Sequence, residues 1–174
     1  MTNTTGLNCT IKDLQTDIYN ALDDLYDFDI EGYGLIERTP KDGRIIPEVW
    51  NEGTKQYDEL YLDDSKPYSF YFIDGTNHTT NDGIAYNAPL KIVVIVDLTE
   101  IDSTSRDQSR AHRDLSNIIF NDTCPFTIEG LEKTIDEVFA GFKTDQIILD
   151  DMQPWHIFAI RGTVRYELKT TCNG

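Results

Sequence analysis

The stretch LKIVVIVDL at residues 90–98 decides the fold class. It is a nearly unbroken run of aliphatic and β-branched residues, which is typical of a strand buried on both faces. Two further runs, YSFYFI at residues 68–73 and WHIFAIRGTVRYEL at residues 155–168, also have the composition of strands. The three runs predict a sheet in which the long closing strand pairs centrally or extends beyond the domain.

Three amphipathic helices are predicted from apolar residues that recur at three- and four-residue spacing. The first helix covers residues 11–28, and its apolar positions are Ile11, Leu14, Ile18, Leu22, Leu25 and Phe28. The second helix covers residues 103–120, with an apolar side formed by Leu115, Ile118 and Ile119. The third helix would be capped by Thr127, and its apolar positions are Leu131, Ile135, Val138 and Phe142. Residues 147–149 predict a short strand.

Residues 33–50 predict a β-hairpin. The turn sequence TPKDG at residues 39–43 supplies a proline for the start of the turn and a glycine for a positive φ. We expect Pro47 to lie on an edge or to end the strand, because proline cannot donate a backbone hydrogen bond.

Residues 51–67, NEGTKQYDELYLDDSKP, predict an extended acidic loop or arm. Charged residues interrupt the aromatic ones there without a clear period. The segment either packs on its own domain or anchors on a neighbouring protein through Tyr57, Tyr61 and Leu62. Together these elements predict a single α+β domain over residues 1–174, with a mixed, largely antiparallel sheet and about three helices.

The charge is strongly acidic, with 31 Asp and Glu against 15 Lys and Arg and a net charge of −16. Such a surface repels nucleic-acid phosphates and anionic membranes, so we expect no sequence-specific nucleic-acid binding and no membrane association. The acidity is equally compatible with a role in solubility alone. No stretch approaches the ~18 apolar residues of a membrane span. Cys9, Cys124 and Cys172 are an odd number of widely spaced cysteines, which argues against a disulfide framework and suits a reducing compartment.

Signatures of catalysis and metal binding are missing from the sequence. His78, His112 and His156 share no ligand spacing, and no P-loop or GxSxG motif occurs. The segment AHRDLSN at residues 111–117 echoes a kinase catalytic loop, but Ile119 stands where that loop needs its magnesium-binding Asn. We therefore expect no catalytic residues, no metal site and no cofactor.

One basic stripe is present, formed by Arg106, Arg110 and Arg113 at helical spacing in the second helix. It is either a solvated face that pairs with Asp107 and Asp114, or a surface that docks onto the acidic first helix of a neighbouring copy. The acidic residues of that first helix are Asp13, Asp17, Asp23, Asp24 and Asp27. A basic patch that meets an acidic patch elsewhere on the same surface makes a head-to-tail contact, and such contacts close into rings.

The order of elements and two stretches resemble the small phage head–tail joining proteins, which include tail terminators, tail-completion proteins and connector ring proteins. The stretches are APLKIVVIVDL at residues 88–98, similar to a segment of crAss-like and other Bacteroides-infecting phages, and residues 155–168, similar to the closing strand of tail-terminator-like folds. The resemblance covers roughly the C-terminal half and the first helix. The arm at residues 51–67 has no counterpart in it.

The resemblance implies a structural virion protein rather than an enzyme, made in the host bacterial cytoplasm. Such proteins form rings, often of about six or twelve copies, between portal and tail, and DNA passes through the lumen. The implied partners are copies of the chain and portal, connector or other tail proteins. The acidic first helix or the acidic arm would then be the lumen or inter-ring surface. The alternative is an acidic intracellular interaction module, such as a DNA mimic or an inhibitor.

Overall fold

The computed structural model describes residues 6–51, 53–121, 125–144, 147 and 154–169. The described part of the chain contains four helices and nine strands. In chain order they are α1 (Leu7–Leu25), β1 (Ile30–Leu35), β2 (Glu37–Lys41), β3 (Arg44–Asn51), β4 (Gln56–Glu59), β5 (Tyr68–Asp74), β6 (Thr79–Thr80), β7 (Ala85–Asp97), α2 (Leu98–Ile101), α3 (Gln108–Asn121), β8 (Phe126–Glu132), α4 (Ile135–Val138) and β9 (Trp155–Glu167). The predicted α+β class is confirmed.

The main sheet has the strand order β1-β5-β7-β9-β8, with the short β6 paired to β7. Strands β1 and β5 are parallel, and the other described pairs are antiparallel. Strands β7 and β9 pair over their whole length, from Ala85 opposite Glu167 to Asp97 opposite Trp155. The sheet is therefore mixed and largely antiparallel, and the closing strand pairs centrally, as the sequence predicts.

Successive side chains along each strand point to opposite faces of the main sheet, and both faces are buried. Phe70, Val94 and Phe158 face a cluster that includes the apolar sides of α1 and α3. Tyr71 and Val93 face a second cluster that includes α4, with partly buried residues of the small sheet packed against it. Every residue from 92 to 96 is buried, which confirms the prediction of a strand covered on both faces.

The small sheet has the order β2-β3-β4. The predicted hairpin is confirmed from Glu37 onward, because Asp42 and Gly43 connect β2 to β3 with φ values of 52° and 75°, the signs that a tight hairpin turn requires. Residues 33–35 of the prediction belong instead to β1 of the main sheet. The expectation for Pro47 is wrong, since β3 continues through it as the middle strand. The Pro47 carbonyl accepts a hydrogen bond from the Leu60 amide. The nitrogen of Pro47 therefore points away from β2, and the β2–β3 ladder loses no donor.

The segment at residues 51–67 is more regular than the predicted arm. It contains β4, which pairs with β3. After β4, Leu60 and Asp63 are buried, and the carbonyl of Tyr61 accepts a hydrogen bond from the hydroxyl of Tyr71 at 2.8 Å. The segment packs on its own domain, which is one of the two alternatives that the sequence leaves open.

Helix boundaries differ from the predictions at three places. Helix α1 begins four residues earlier than predicted and ends at Leu25, and α3 begins only at Gln108. The helix predicted after Thr127 is wrong, because residues 126–132 form β8, which gives β9 its second neighbour. Helix α4 follows with four residues and a capping box between Thr134 and Glu137. Of its predicted apolar positions, Ile135, Val138 and Phe142 are buried, whereas Leu131 is exposed on the strand.

Three other sequence-based expectations concern cysteines, a short strand and the membrane. Cys9 is buried and disulfide-bonded, contrary to the expectation from the odd cysteine count, and Cys124 and Cys172 lie outside the described residues. The strand predicted at residues 147–149 also lies outside them, apart from Ile147, which packs on the second apolar cluster. Within the described ranges, no helix is both long enough and apolar enough to cross a bilayer.

Candidate interaction surfaces

The outer face of α1 carries the acidic residues that the sequence singles out. The inner face of the helix is buried through Ile11, Leu14, Ile18 and Leu22. The candidate residues Asp13, Asp17, Asp23, Asp24 and Asp27 are all exposed. Asp27 lies in the turn after the helix, whereas the other four lie on the helix itself. The amphipathic pattern thus places a row of carboxylates on the solvent side of the molecule.

The predicted arginine stripe is shorter on the helix than expected. Arg106 precedes α3 and has a φ of 48°, so only Arg110 and Arg113 lie on the helix. The Arg110 Nε lies 3.6 Å and the Arg113 Nε lies 3.3 Å from carboxylate oxygens of Asp114. Arg110 also donates to the carbonyl of Ile101 at 2.9 Å. Both arginines therefore pair within their own chain, although 65% of the Arg113 side chain stays exposed.

Asp114 joins α3 to the end of α1. The hydroxyl of Tyr26 donates to Asp114 Oδ2 at 2.8 Å, across 88 residues of chain. Burial and the neighbouring carboxylate raise the pKa of Tyr26, so its hydroxyl keeps the proton that it donates. The sequence offers no sign of this contact, because it depends on the tertiary packing of two helices.

An apolar patch lies beside these arginines. A cleft of about 320 Å³ between α1 and α3 is lined in part by Ala21, Leu25, Asn117 and Ile118. Leu25 was predicted on the buried side of its helix, but it is about half exposed. Phe120, near the end of α3, is 84% exposed. Exposed aromatic surface of this kind is typical of contact sites between proteins.

The small sheet presents two exposed aromatic rings. Trp50 and Tyr57 pack edge to face, with ring centroids 5.2 Å apart, and each is about half exposed. The other two aromatic or apolar candidates of this segment, Tyr61 and Leu62, are partly buried against the second cluster. Of the three residues that the sequence proposes as anchors, only Tyr57 is therefore placed to reach a neighbour.

An acidic cleft of about 670 Å³ separates β1 from the small sheet, and we name it the β1 cleft. It is lined by Gln15, Glu31, Gly32, Tyr33, Gly34, Val49, Trp50, Asn51, Asp58, Glu59, Leu60, Leu62 and Asp63. Four of these residues are acidic, and neither lysine nor arginine is among them. The sequence predicts acidity in this segment but not the cleft, because its two walls come from separate sheets.

A hydrogen-bonded chain of Asp74, His78 and Tyr166 has the composition of a catalytic relay. The His78 ring lies 2.9 Å from both the Asp74 carboxylate and the Tyr166 hydroxyl. Burial and the nearby Asp74 raise the pKa of Tyr166, whereas a nucleophilic or basic tyrosine needs a lowered pKa. The hydrogen bonds of this chain tie the segment after β5 to β9.

The remaining histidines, His112 and His156, are brought into contact by the fold, although 44 residues separate them. No group of three or more His, Cys, Asp or Glu residues that could hold a metal ion is found in the described ranges. The expectation of no metal and no catalytic residue stays a prediction for the whole chain.

Comparison with known proteins assigns no family. None of the protein-family models compared with the sequence matches it, and no curated protein does either. Proposals for this chain therefore rest on its own surfaces: the acidic face of α1, the arginines of α3 with the apolar patch beside them, and the β1 cleft.

Proposed function

We propose that this chain is a structural virion protein that forms a ring in the head–tail connector or tail barrel of a tailed phage. Its partners would be copies of itself and portal, connector or other tail proteins. The observation that carries the proposal is an exposed contact surface on α3, where Phe120 is 84% and the Arg113 side chain 65% exposed, on a molecule whose α1 presents exposed aspartates. A contact of this surface with α1 of the next copy joins two different patches and is therefore head-to-tail, the type of contact from which rings are built.

The composition of the α3 surface supports a contact between proteins. Arg113 lies two turns from the largely exposed Phe120 on the same helix, and Leu25 lies on the facing helix. An apolar centre with charged groups around it is the usual arrangement of a specific interface. The aspartates of α1 would receive the arginines of the next copy, which adds attraction and fixes orientation.

The acidity of the chain supports the proposed role towards DNA. With a net charge of −16, the ring would present carboxylates to the phosphates that pass through it. Like charges repel, so DNA would slide through the lumen without sticking to its wall. The aspartates of α1 that are not used in subunit contacts are our candidates for this surface.

The test is the mass of the assembly measured by light scattering across a range of concentrations. Arg113→Glu reverses a charge whose surface ion pair contributes little to folding, at most about 1 kcal/mol. We expect this variant and Phe120→Ser to shift the distribution towards the monomer, with folding unchanged by circular dichroism. Arg44→Glu, in the exposed hairpin of the small sheet, is the matched control for charge and should assemble like the original chain. Assembly of Arg113→Glu and Phe120→Ser at the original mass would count against the proposal.

A further inference from the structure

The β1 cleft lies along a strand edge that is open in the described part of the chain. Strand β1 is the outermost strand of the main sheet at its end, so its far side has no paired strand there. An open edge offers backbone N–H and C=O groups to an incoming chain. The carbonyl of Gly32 already accepts a hydrogen bond from the side-chain amide of Gln15, so an incoming strand would replace this contact.

The sequence of β1 lacks the residue types that commonly block an edge, although the register of β1 against β5 shifts between Gly32 and Leu35. Natural edge strands are commonly blocked by lysine or proline, and β1, with the sequence IEGYGL, has neither. A Cβ atom added at Gly34 would meet nothing closer than the Gln15 Oε1 atom at 3.8 Å, so the cleft is open above this residue. The backbone can therefore be approached closely at Gly34.

The charges and rings that line the β1 cleft define what it would accept. Asp63 is engaged by Tyr33 and Ser65, and Asp58 by Asn51. By contrast, the carboxylates of Glu31 and Glu59 accept no hydrogen bond and form no ion pair within the described residues. Trp50 stands exposed beside them, and its ring face attracts lysine or arginine.

We propose that the β1 cleft binds an extended, basic segment of a partner protein, which adds as a strand to β1. Backbone hydrogen bonds to β1 would supply affinity, and alternate basic side chains would reach Glu31, Glu59 and the ring of Trp50. Nucleic acid does not fit this surface, because its phosphates would meet four carboxylates. The inference names a partner surface beyond the ring contact of α1 and α3, and it does not rest on the ring.

The experiment is a fluorescence-anisotropy titration with a labelled synthetic peptide in which valine alternates with lysine or arginine. It is carried out on the full chain at concentrations where the chain is monomeric. We expect Gly34→Leu, which places a side chain over the open part of β1, to abolish saturable binding. Glu59→Lys should weaken binding about fivefold, the effect of losing one exposed ion pair. Asp24→Lys makes the same charge change on α1 outside the cleft and should alter the affinity less than about twofold.

A second peptide tests strand addition itself. Methylation of alternate backbone nitrogens removes the donors that would face β1, and loss of two such hydrogen bonds should weaken binding about tenfold or more. Equal binding of the methylated peptide, equal binding by Gly34→Leu, or no binding at millimolar concentrations would overturn the proposal. The chain could instead associate with itself through this cleft. Self-association that is abolished by Gly34→Leu, but with which the peptide does not compete, would identify a second copy as the occupant. That result would also overturn the proposal. Failure of the ring proposal would leave the peptide titration unchanged.

Discussion

The Nε2 atoms of His112 and His156 lie 2.9 Å apart in the interior, where α3 crosses the start of β9. Both residues are less than a tenth exposed, and the ring of Phe158 packs against both. One nitrogen must donate and the other accept, so the two rings cannot both be protonated. Burial lowers the pKa of both histidines, and that of His156 falls to about 4. The charge of Lys133 adds to both shifts, whereas Asp107 opposes the shift of His112.

This pair predicts a loss of stability in mild acid. A histidine has a pKa of about 6.5 in the unfolded chain, so the unfolded state takes up protons that the folded pair refuses. The contribution of the histidine pair to the free energy of unfolding is therefore fully present above a pH of about 6.5. It is lost as the pH falls towards about 4. Urea unfolding at pH 7, 5.5 and 4.5 measures this loss. His156→Gln, which cannot take up the proton, should flatten the decline, and an unchanged slope would refute the assignment.

The hydrogen bond between Tyr26 and Asp114 predicts a specific cost for Tyr26→Phe. Both groups are largely buried, and removing the hydroxyl leaves a carboxylate without one of its donors. We expect the free energy of unfolding to fall by about 1.5–3 kcal/mol, the range for a hydrogen bond to a charged group. Tyr19→Phe, on α1 and exposed, should change the free energy of unfolding by less than about 0.5 kcal/mol. Equal values for the two variants in chemical denaturation would contradict this account of the α1–α3 contact.

Two glycines predict opposite responses to the same substitution. A Cβ atom at Gly162 would collide with the carbonyl oxygen of Thr127 and lie 2.5 Å from the ring of Phe126, because β8 crosses this position closely. Gly162→Ala should therefore lower stability by about 1–3 kcal/mol, as overpacking does. Gly34→Ala meets only the Gln15 Oε1 atom at 3.8 Å, an ordinary contact, and should stay within about 0.5 kcal/mol of the original chain. Thermal unfolding of both variants is the measurement, and a tolerated Gly162→Ala would contradict the pairing of β8 with β9.

The sequence predicts those parts of the fold that local patterns determine. The run at residues 90–98 indicates a doubly buried strand, and Asp42-Gly43 indicates a tight hairpin, because both depend on neighbouring residues. The sequence gives the wrong prediction for residues 126–132. Ile128 and Leu131 are exposed there on an edge strand. The spacing of Leu131, Ile135 and Val138 nevertheless has the period of a helix. Pairing with β9 determines the strand conformation of this segment, and pairing between distant parts of the chain produces no periodic pattern in the sequence.

The candidate surfaces also include some features that the sequence predicts and others that only the tertiary structure shows. The aspartates of α1 are exposed, as an amphipathic helix requires, so their placement follows from spacing alone. The contact of Tyr26 with Asp114 and the walls of the β1 cleft join residues that are distant in sequence. Arg106 is a further case, because a left-handed residue before α3 removes it from the helical stripe that its spacing predicts.

The central claim is assembly, and its most direct test is the mass of the pure chain by light scattering, alone and then mixed with the products of neighbouring genes. The account predicts a ring-sized species of defined copy number in at least one of these samples. A chain that stays monomeric at every concentration, and that no neighbouring product recruits, would contradict it. That result would favour the alternative of an acidic interaction module with a basic target.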